Sequence, residues 1–147
     1  MKLRLLLAHA VEVQAGMLFG IGIGWTDIGP EPSQLAIAAL LEVGWDETNR
    51  SHQLRLVIVD ADNQPLLVPT PTGDQAFEIQ TNFDVGRPPL AAPGRSFMLP
   101  IALNLGPVAF TPGRHYLLRG FVDGNMLDET PFMCRPTRPQ PQLQQAR

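Results

Sequence analysis

The chain has 147 residues, 44% of them hydrophobic, a formal net charge of −3 and a mean hydropathy near zero. That length fits one domain around one core, and no apolar run approaches the ~20 residues a spanning helix needs. Residues 1–134 hold 8 basic and 14 acidic side chains, a net of −6, so the body repels a nucleic-acid backbone.

In chain order, Leu3 to Ala8 reads as the first strand. Its basic head and Ala8-His9-Ala10 ending imitate a signal peptide, but the apolar stretch is shorter than the about 7–15 residues such a segment requires. A cytoplasmic protein, or one assembled into a particle after cytoplasmic synthesis, is expected. A turn at Gln14-Ala15-Gly16 precedes a strand from Met17 to Trp25, in which Gly20, Gly22 and Gly24 clear one face while Phe19, Ile21, Ile23 and Trp25 fill the other. A proline-marked loop, Asp27 to Ser33, leads to Leu35–Val43, where Leu35, Ile37, Ala39, Leu41 and Val43 share a face. The polar stretch Trp45 to His52 is the one place for a short helical turn. Leu54 to Val59 is the next strand, closed by Asp60-Ala61-Asp62-Asn63-Gln64-Pro65, and Leu66 to Val68 is a short edge strand.

The strictest two-residue beat is Phe77 to Val85: Phe77, Ile79, Phe83 and Val85 on one side, with Glu78, Gln80, Asn82 and Asp84 on the other. Phe97, Leu99, Ile101, Leu103 and Leu105 line one face of the strand that follows. Pro100 points the other way without a ladder donor, which places this strand at an edge. The last hairpin pairs His115–Val122 with Met126–Cys134 across Asp123-Gly124-Asn125. A three-residue turn sets Val122 against Met126, Phe121 against Leu127, Arg119 against Glu129 and Tyr116 against Phe132. Gly and Pro between short alternating runs indicate an all-β sandwich of about eight antiparallel strands over residues 1–134. Residues 135–147 form a Pro/Gln/Arg-rich extended tail. Its Arg135, Pro136, Arg138, Pro139 and Pro141 are candidates for docking on a partner as a polyproline ligand does.

The chemical motifs are weak. Gly20-Ile21-Gly22-Ile23-Gly24 lacks nucleotide-loop spacing and opens no helix. Asp60-Ala61-Asp62-Asn63 begins like a calcium loop, with Asp123 and Asp128 as conceivable partners, but Gln64 and Pro65 follow where that loop needs an oxygen donor and a glycine. A turn is the simpler account. Cys134, the only cysteine, has no disulfide partner, and facing away from His115 it reads as a buried, inert thiol. His9, His52 and His115 lack metal-ligand spacing. Neither catalytic residues, a metal nor a cofactor is expected. Trp25, Trp45 and Tyr116 are read as core rather than as a stacking platform.

Several segments together resemble a group of uncharacterised bacterial proteins, a domain of unknown function. These are Ala10-Val11-Glu12-Val13, Gly16, Ile21-Gly22-Ile23-Gly24-Trp25, Trp45-Asp46-Glu47 with His52, Val85-Gly86-Arg87-Pro88-Pro89, and Pro112-Gly113-Arg114-His115-Tyr116. The resemblance runs over most of residues 1–134. It implies an immunoglobulin-like β-sandwich and supplies no activity.

The expected function is a non-enzymatic interaction or assembly module acting through sheet edges, loops and tail, as in a virion or another bacterial complex. Its partner is a protein or a second copy, with no nucleic acid or membrane involved. The alternatives are a small-ligand or carbohydrate-binding sandwich using Trp25 or Trp45, and an unrecognised hydrolase gathering His52, Asp46 and a hydroxyl.

Overall fold

Alternation of apolar and polar side chains makes a strand that buries one face, and strands of this kind build nearly all of the chain. A computed structural model describes residues 1–139. Its strands are β1 (Lys2–Ala8), β2 (Ala10–Gln14), β3 (Met17–Ile21), β4 (Asp27–Ile28), β5 (Ser33–Val43), β6 (His52–Asp60), β7 (Leu67–Thr70), β8 (Gly73–Ala76), β9 (Glu78–Phe83), β10 (Phe97–Val108), β11 (His115–Val122) and β12 (Asn125–Cys134). The helical element among the described residues is a single 3₁₀ turn, Trp45–Glu47.

The protein is all-β, with twelve strands among the described residues rather than about eight. The strands that sequence missed are short pieces, β2, the two-residue β4 and β8, while β7 takes the place of the expected Leu66–Val68 edge strand. Runs that brief carry too few alternations to stand out from a loop.

The strands form a three-stranded sheet, β1-β5-β10, and a five-stranded one, β4-β12-β11-β6-β9, with two separate ribbons, β2-β3 and β7-β8. One core joins the inner faces of the two larger sheets. Leu3, Leu5 and Leu7 of β1 and Leu35, Ile37, Ala39, Leu41 and Val43 of β5 meet Leu54, Leu56 and Ile58 of β6, Tyr116 and Leu118 of β11, and Phe132 of β12. Each large aliphatic side chain so buried contributes about 1.5–3 kcal/mol against chain entropy. Tyr116 and Phe132 stack at 5.4 Å between centroids, and Phe110 meets them edge-on at 5.2 and 5.3 Å. The Thr111 N–H donates to the Tyr116 hydroxyl at 2.8 Å, so the buried phenol keeps a partner.

The closing hairpin keeps Tyr116 opposite Phe132 and Arg119 opposite Glu129, as expected, but its tip differs. Phe121 faces Met126 and Val122 faces Asn125, with a register shift between Gly120 and Phe121. The turn is the two-residue Asp123-Gly124, at φ +50° and +83°. Two successive positive φ angles suit the right-handed twist of the flanking strands, and the bulge at Leu127 restores the alternation. Strand β10 is the outermost of its sheet, where Pro100 placed it.

Gly120 on β11 lies directly under Leu3 and Leu5 of β1. A Cβ there would lie 2.5 Å from Leu3 Cδ2 and 2.9 Å from Leu5 Cδ1. Gly120→Val is expected to cost about 1–3 kcal/mol through overpacking, seen as a lower midpoint in thermal unfolding. An unchanged midpoint would mean that β1 does not bear on β11 as described.

Candidate interaction surfaces

The β2–β3 ribbon crosses the outer face of the three-stranded sheet. Its inner side chains, Val11 and Leu18, rest on Ala36 and Ala38 of β5 and Ala102 of β10. Small residues there let the ribbon backbone approach closely. Asn104 of β10 then acts as a strand surrogate: the Val11 N–H donates to its Oδ1 at 3.0 Å, and its Nδ2 donates to the Val11 carbonyl at 2.7 Å.

The outward face of this ribbon carries Met17, Phe19 and Ile21, 56, 46 and 71% exposed, beside the polar Glu12 and Gln14. The sequence placed Met17 to Trp25 in one strand with a filled face. Instead β3 ends at Ile21, and Gly22 and Gly24 turn the chain at φ +63° and +88°. A side chain at Gly22 would collide with His9, so the glycines serve a bend rather than a bare sheet face.

A second concentration of chemistry lies where the 3₁₀ turn, β6 and the β11–β12 turn meet. His52 is only 3% exposed and stacks on Phe83 at 5.4 Å. Its Nδ1 faces the Asp123 carboxylate at 2.6 Å, and its Nε2 donates to the Glu47 carbonyl at 2.7 Å. With an ionised Asp123, both ring nitrogens carry protons, which defines an imidazolium. Burial presses its pKa down, but the hydrogen bonds to Asp123 and Glu47 and the Asp123 charge together raise it above the ordinary value. The bond from His52, then that from the Gln53 N–H, holds the Asp123 pKa below its usual value. Nearby, the N-terminal ammonium meets the Glu47 carboxylate at 2.9 Å and lowers its pKa.

The acid paired with His52 is thus Asp123, and not Asp46. Because both nitrogens are occupied and the ring is buried, this is a corner clamp rather than a poised base. Trp25 is half-buried, edge-on to Phe132 at 5.5 Å and stacked on His9 at 6.2 Å. Trp45 carries the Arg87 guanidinium 3.9 Å from its ring centre. Trp45 also stacks on Phe97 at 6.3 Å, so both of its faces are occupied. Cys134 is buried, and its thiol pKa is raised by that burial. Asp60 accepts from the Asp62 and Gln64 N–H groups at 2.9 and 3.0 Å, which makes the calcium-like segment a self-capped turn. Asp128 points elsewhere, at the Leu5 N–H. Among the described residues, no three His, Cys, Asp or Glu side chains are placed to hold a metal ion. Among the same residues, no helix is long and apolar enough to cross a membrane.

In the tail, Arg135 donates its N–H to the Ile28 carbonyl at 2.8 Å and sits 3.5 Å from Asp27. Pro136, Arg138 and Pro139 follow without strand structure. Pro141 lies outside the described residues. The ribbon was not singled out as a site from sequence; its signal was the succession Met17, Phe19, Ile21, Ile23 with no facing layer assigned to it.

A family model of unknown function, DUF6941, matches residues 3–135. The chain belongs to that family. No curated protein matches it. The matched span takes in every strand, the ribbon and the His52 corner together.

The clamp has a defined pH window. The raised His52 pKa contributes stability that is complete below the unfolded value of 6.5 and disappears as pH rises through the folded value. The lowered Asp123 pKa contributes stability present above 3.8 and lost as pH falls through its folded value. The thermal midpoint should therefore peak between those limits and decline on the alkaline side. His52→Gln is expected to abolish the alkaline decline and to cost about 1–3 kcal/mol at pH 6. A wild-type midpoint flat from pH 6 to 9 would dismiss the charged clamp.

Proposed function

We propose that this chain is a non-enzymatic protein-interaction module, an immunoglobulin-like β-sandwich that serves as a component of a larger assembly. The observation that carries this reading is the outward face of the β2–β3 ribbon, where Met17, Phe19 and Ile21 are exposed to solvent. Exposed apolar clusters of this kind mark contact surfaces. The ribbon is presented on a fixed platform: Asn104 binds both polar groups of the Val11 peptide backbone, and the alanines beneath it leave no slack. An aromatic and a sulfur side chain, Phe19 and Met17, supply the adaptable contact area typical of interface centres.

Glu12 lies directly across the ribbon from Phe19. A carboxylate in the middle of the apolar face favours a protein partner with a matching basic group over insertion into lipid. The enclosed His52 ring, paired with Asp123 rather than Asp46, weighs against the hydrolase alternative. The covered indoles weigh against carbohydrate binding. Arg135, Pro136, Arg138 and Pro139 remain a candidate second contact, since Arg135 anchors the start of the tail beside β4.

Phe19→Ser with Ile21→Ser tests the reading. Both side chains are exposed, so the unfolding free energy should stay within about 0.5 kcal/mol of wild type. Affinity capture from the source cells, wild type against the double variant, should lose its partner about tenfold or more. Equal capture by both would remove the ribbon from the proposal. Deleting residues 136–147 in parallel separates the tail: undiminished capture assigns no binding to it.

A further inference from the structure

We infer that the seam between β9 and β10 accepts one extended strand from another polypeptide, added to β9 as a sixth strand of the larger sheet. The inference rests on this seam alone and stands or falls independently of the β2–β3 ribbon.

The two flanks of the structure are finished differently. On the β1 flank, the Leu5 N–H donates to the Asp128 carboxylate at 2.7 Å, and the Thr130 hydroxyl donates to the Leu5 carbonyl at 3.2 Å. The Gly24 N–H donates to the Leu7 carbonyl at 2.6 Å. Side chains of β12 and a following bend thus satisfy the edge of β1. On the opposite flank, β9 ends the five-stranded sheet and β10 ends the three-stranded one. Strand β9 ladders only with β6, and β10 only with β5. Among the described residues, no other group hydrogen-bonds the backbone of either strand. An antiparallel strand spends about half of its N–H and C=O groups on one neighbour, so the other half of each edge faces outward.

Between these edges lies a groove of about 500 Å³, lined by Thr81 and Phe83 of β9, Leu99, Ile101 and Leu103 of β10, and Asp84. Those β10 side chains are only half-buried, whereas Leu41 and Ile37 on neighbouring β5 and Leu54 and Leu56 on β6 are 0% exposed. The cover over the core is therefore thinner along this flank.

The chemistry of the occupant follows from the groove. Unpaired peptide groups require an extended backbone. Pro100 and Pro107 remove two donors from β10 and blunt that edge, while β9, Glu-Ile-Gln-Thr-Asn-Phe, holds no proline. The ladder therefore forms on β9. Inward-facing residues of the added strand must be apolar to cover Leu99, Ile101 and Leu103. Its outward residues lie beside Glu78, Gln80 and Asn82, with Asp84 at the end. Glu78 is already held by Arg55 at 2.7 Å, whereas Asp84 makes no ion pair among the described residues, and no basic side chain lines the groove. A basic cross-strand neighbour therefore suits Asp84 at this end of the seam. The fit is a segment of about six residues alternating apolar and polar side chains, with a basic one beside Asp84.

The test uses the full-length chain and two synthetic peptides, end-capped. One alternates valine and lysine over eight residues; the other has the same composition in two blocks. Amide hydrogen exchange followed by NMR reads the site. The alternating peptide is expected to slow exchange of the β9 amides that point away from β6 by about tenfold or more. The variant Asp84→Lys, at an exposed carboxylate, should bind it at least about tenfold more weakly, with an unchanged thermal midpoint. Phe19→Ser with Ile21→Ser should leave the binding as it is. Equal protection by the block peptide, protection confined to other strands, or no binding would each overturn the inference.

Discussion

A three-stranded sheet cannot cover a five-stranded one, and that mismatch governs the rest of this structure. The central strands, β5 above and β6 and β11 below, bury their inner side chains completely, since each has neighbours on both sides and a full layer opposite. Toward the flanks the cover thins. Side chains of β12 reach up to the backbone of β1 and close one flank with polar bonds. The other flank remains bordered by two strand edges and a half-buried apolar floor.

The same economy of layers explains the ribbon. The outer face of the small sheet carries alanines where a polar face would otherwise meet water, and β2–β3 folds back to cover them. Covering that face exposes another: the ribbon has only two strands and nothing beyond it among the described residues, so Met17, Phe19 and Ile21 face outward. A two-stranded ribbon is marginal by itself, and the Asn104 clasp together with the alanine platform supplies what it lacks. The apolar surface is thus displaced outward by one layer rather than removed.

Much of the fold was legible because a strand alternates its side chains with a period of two. Leu35, Ile37, Ala39, Leu41 and Val43 share a face for that reason, and Leu99, Ile101 and Leu103 do likewise. Pro100 revealed an edge because it lacks an N–H. Tyr116 was matched to Phe132 because aromatic and charged partners align in only one register. The tip of that hairpin was misjudged: Asp123-Gly124 favours a two-residue turn, and the bulge it forces beside Gly120 shifts Phe121 from Leu127 to Met126. Ile21 and Ile23 were placed in a filled strand face because apolar character alone does not distinguish burial from presentation.

The order of residues by itself determined which side chains stand together on each strand and where the chain must turn, because both depend on a few neighbouring dihedral angles. Tertiary structure alone decided how many strands each sheet holds, that Asp123 rather than Asp46 meets His52, that Asn104 grips Val11, and that one flank is closed while the other is open. Those outcomes join residues about 70 to 125 positions apart. A local pattern fixes the face a side chain occupies, but the partner across that face is set only when whole sheets compete to bury it.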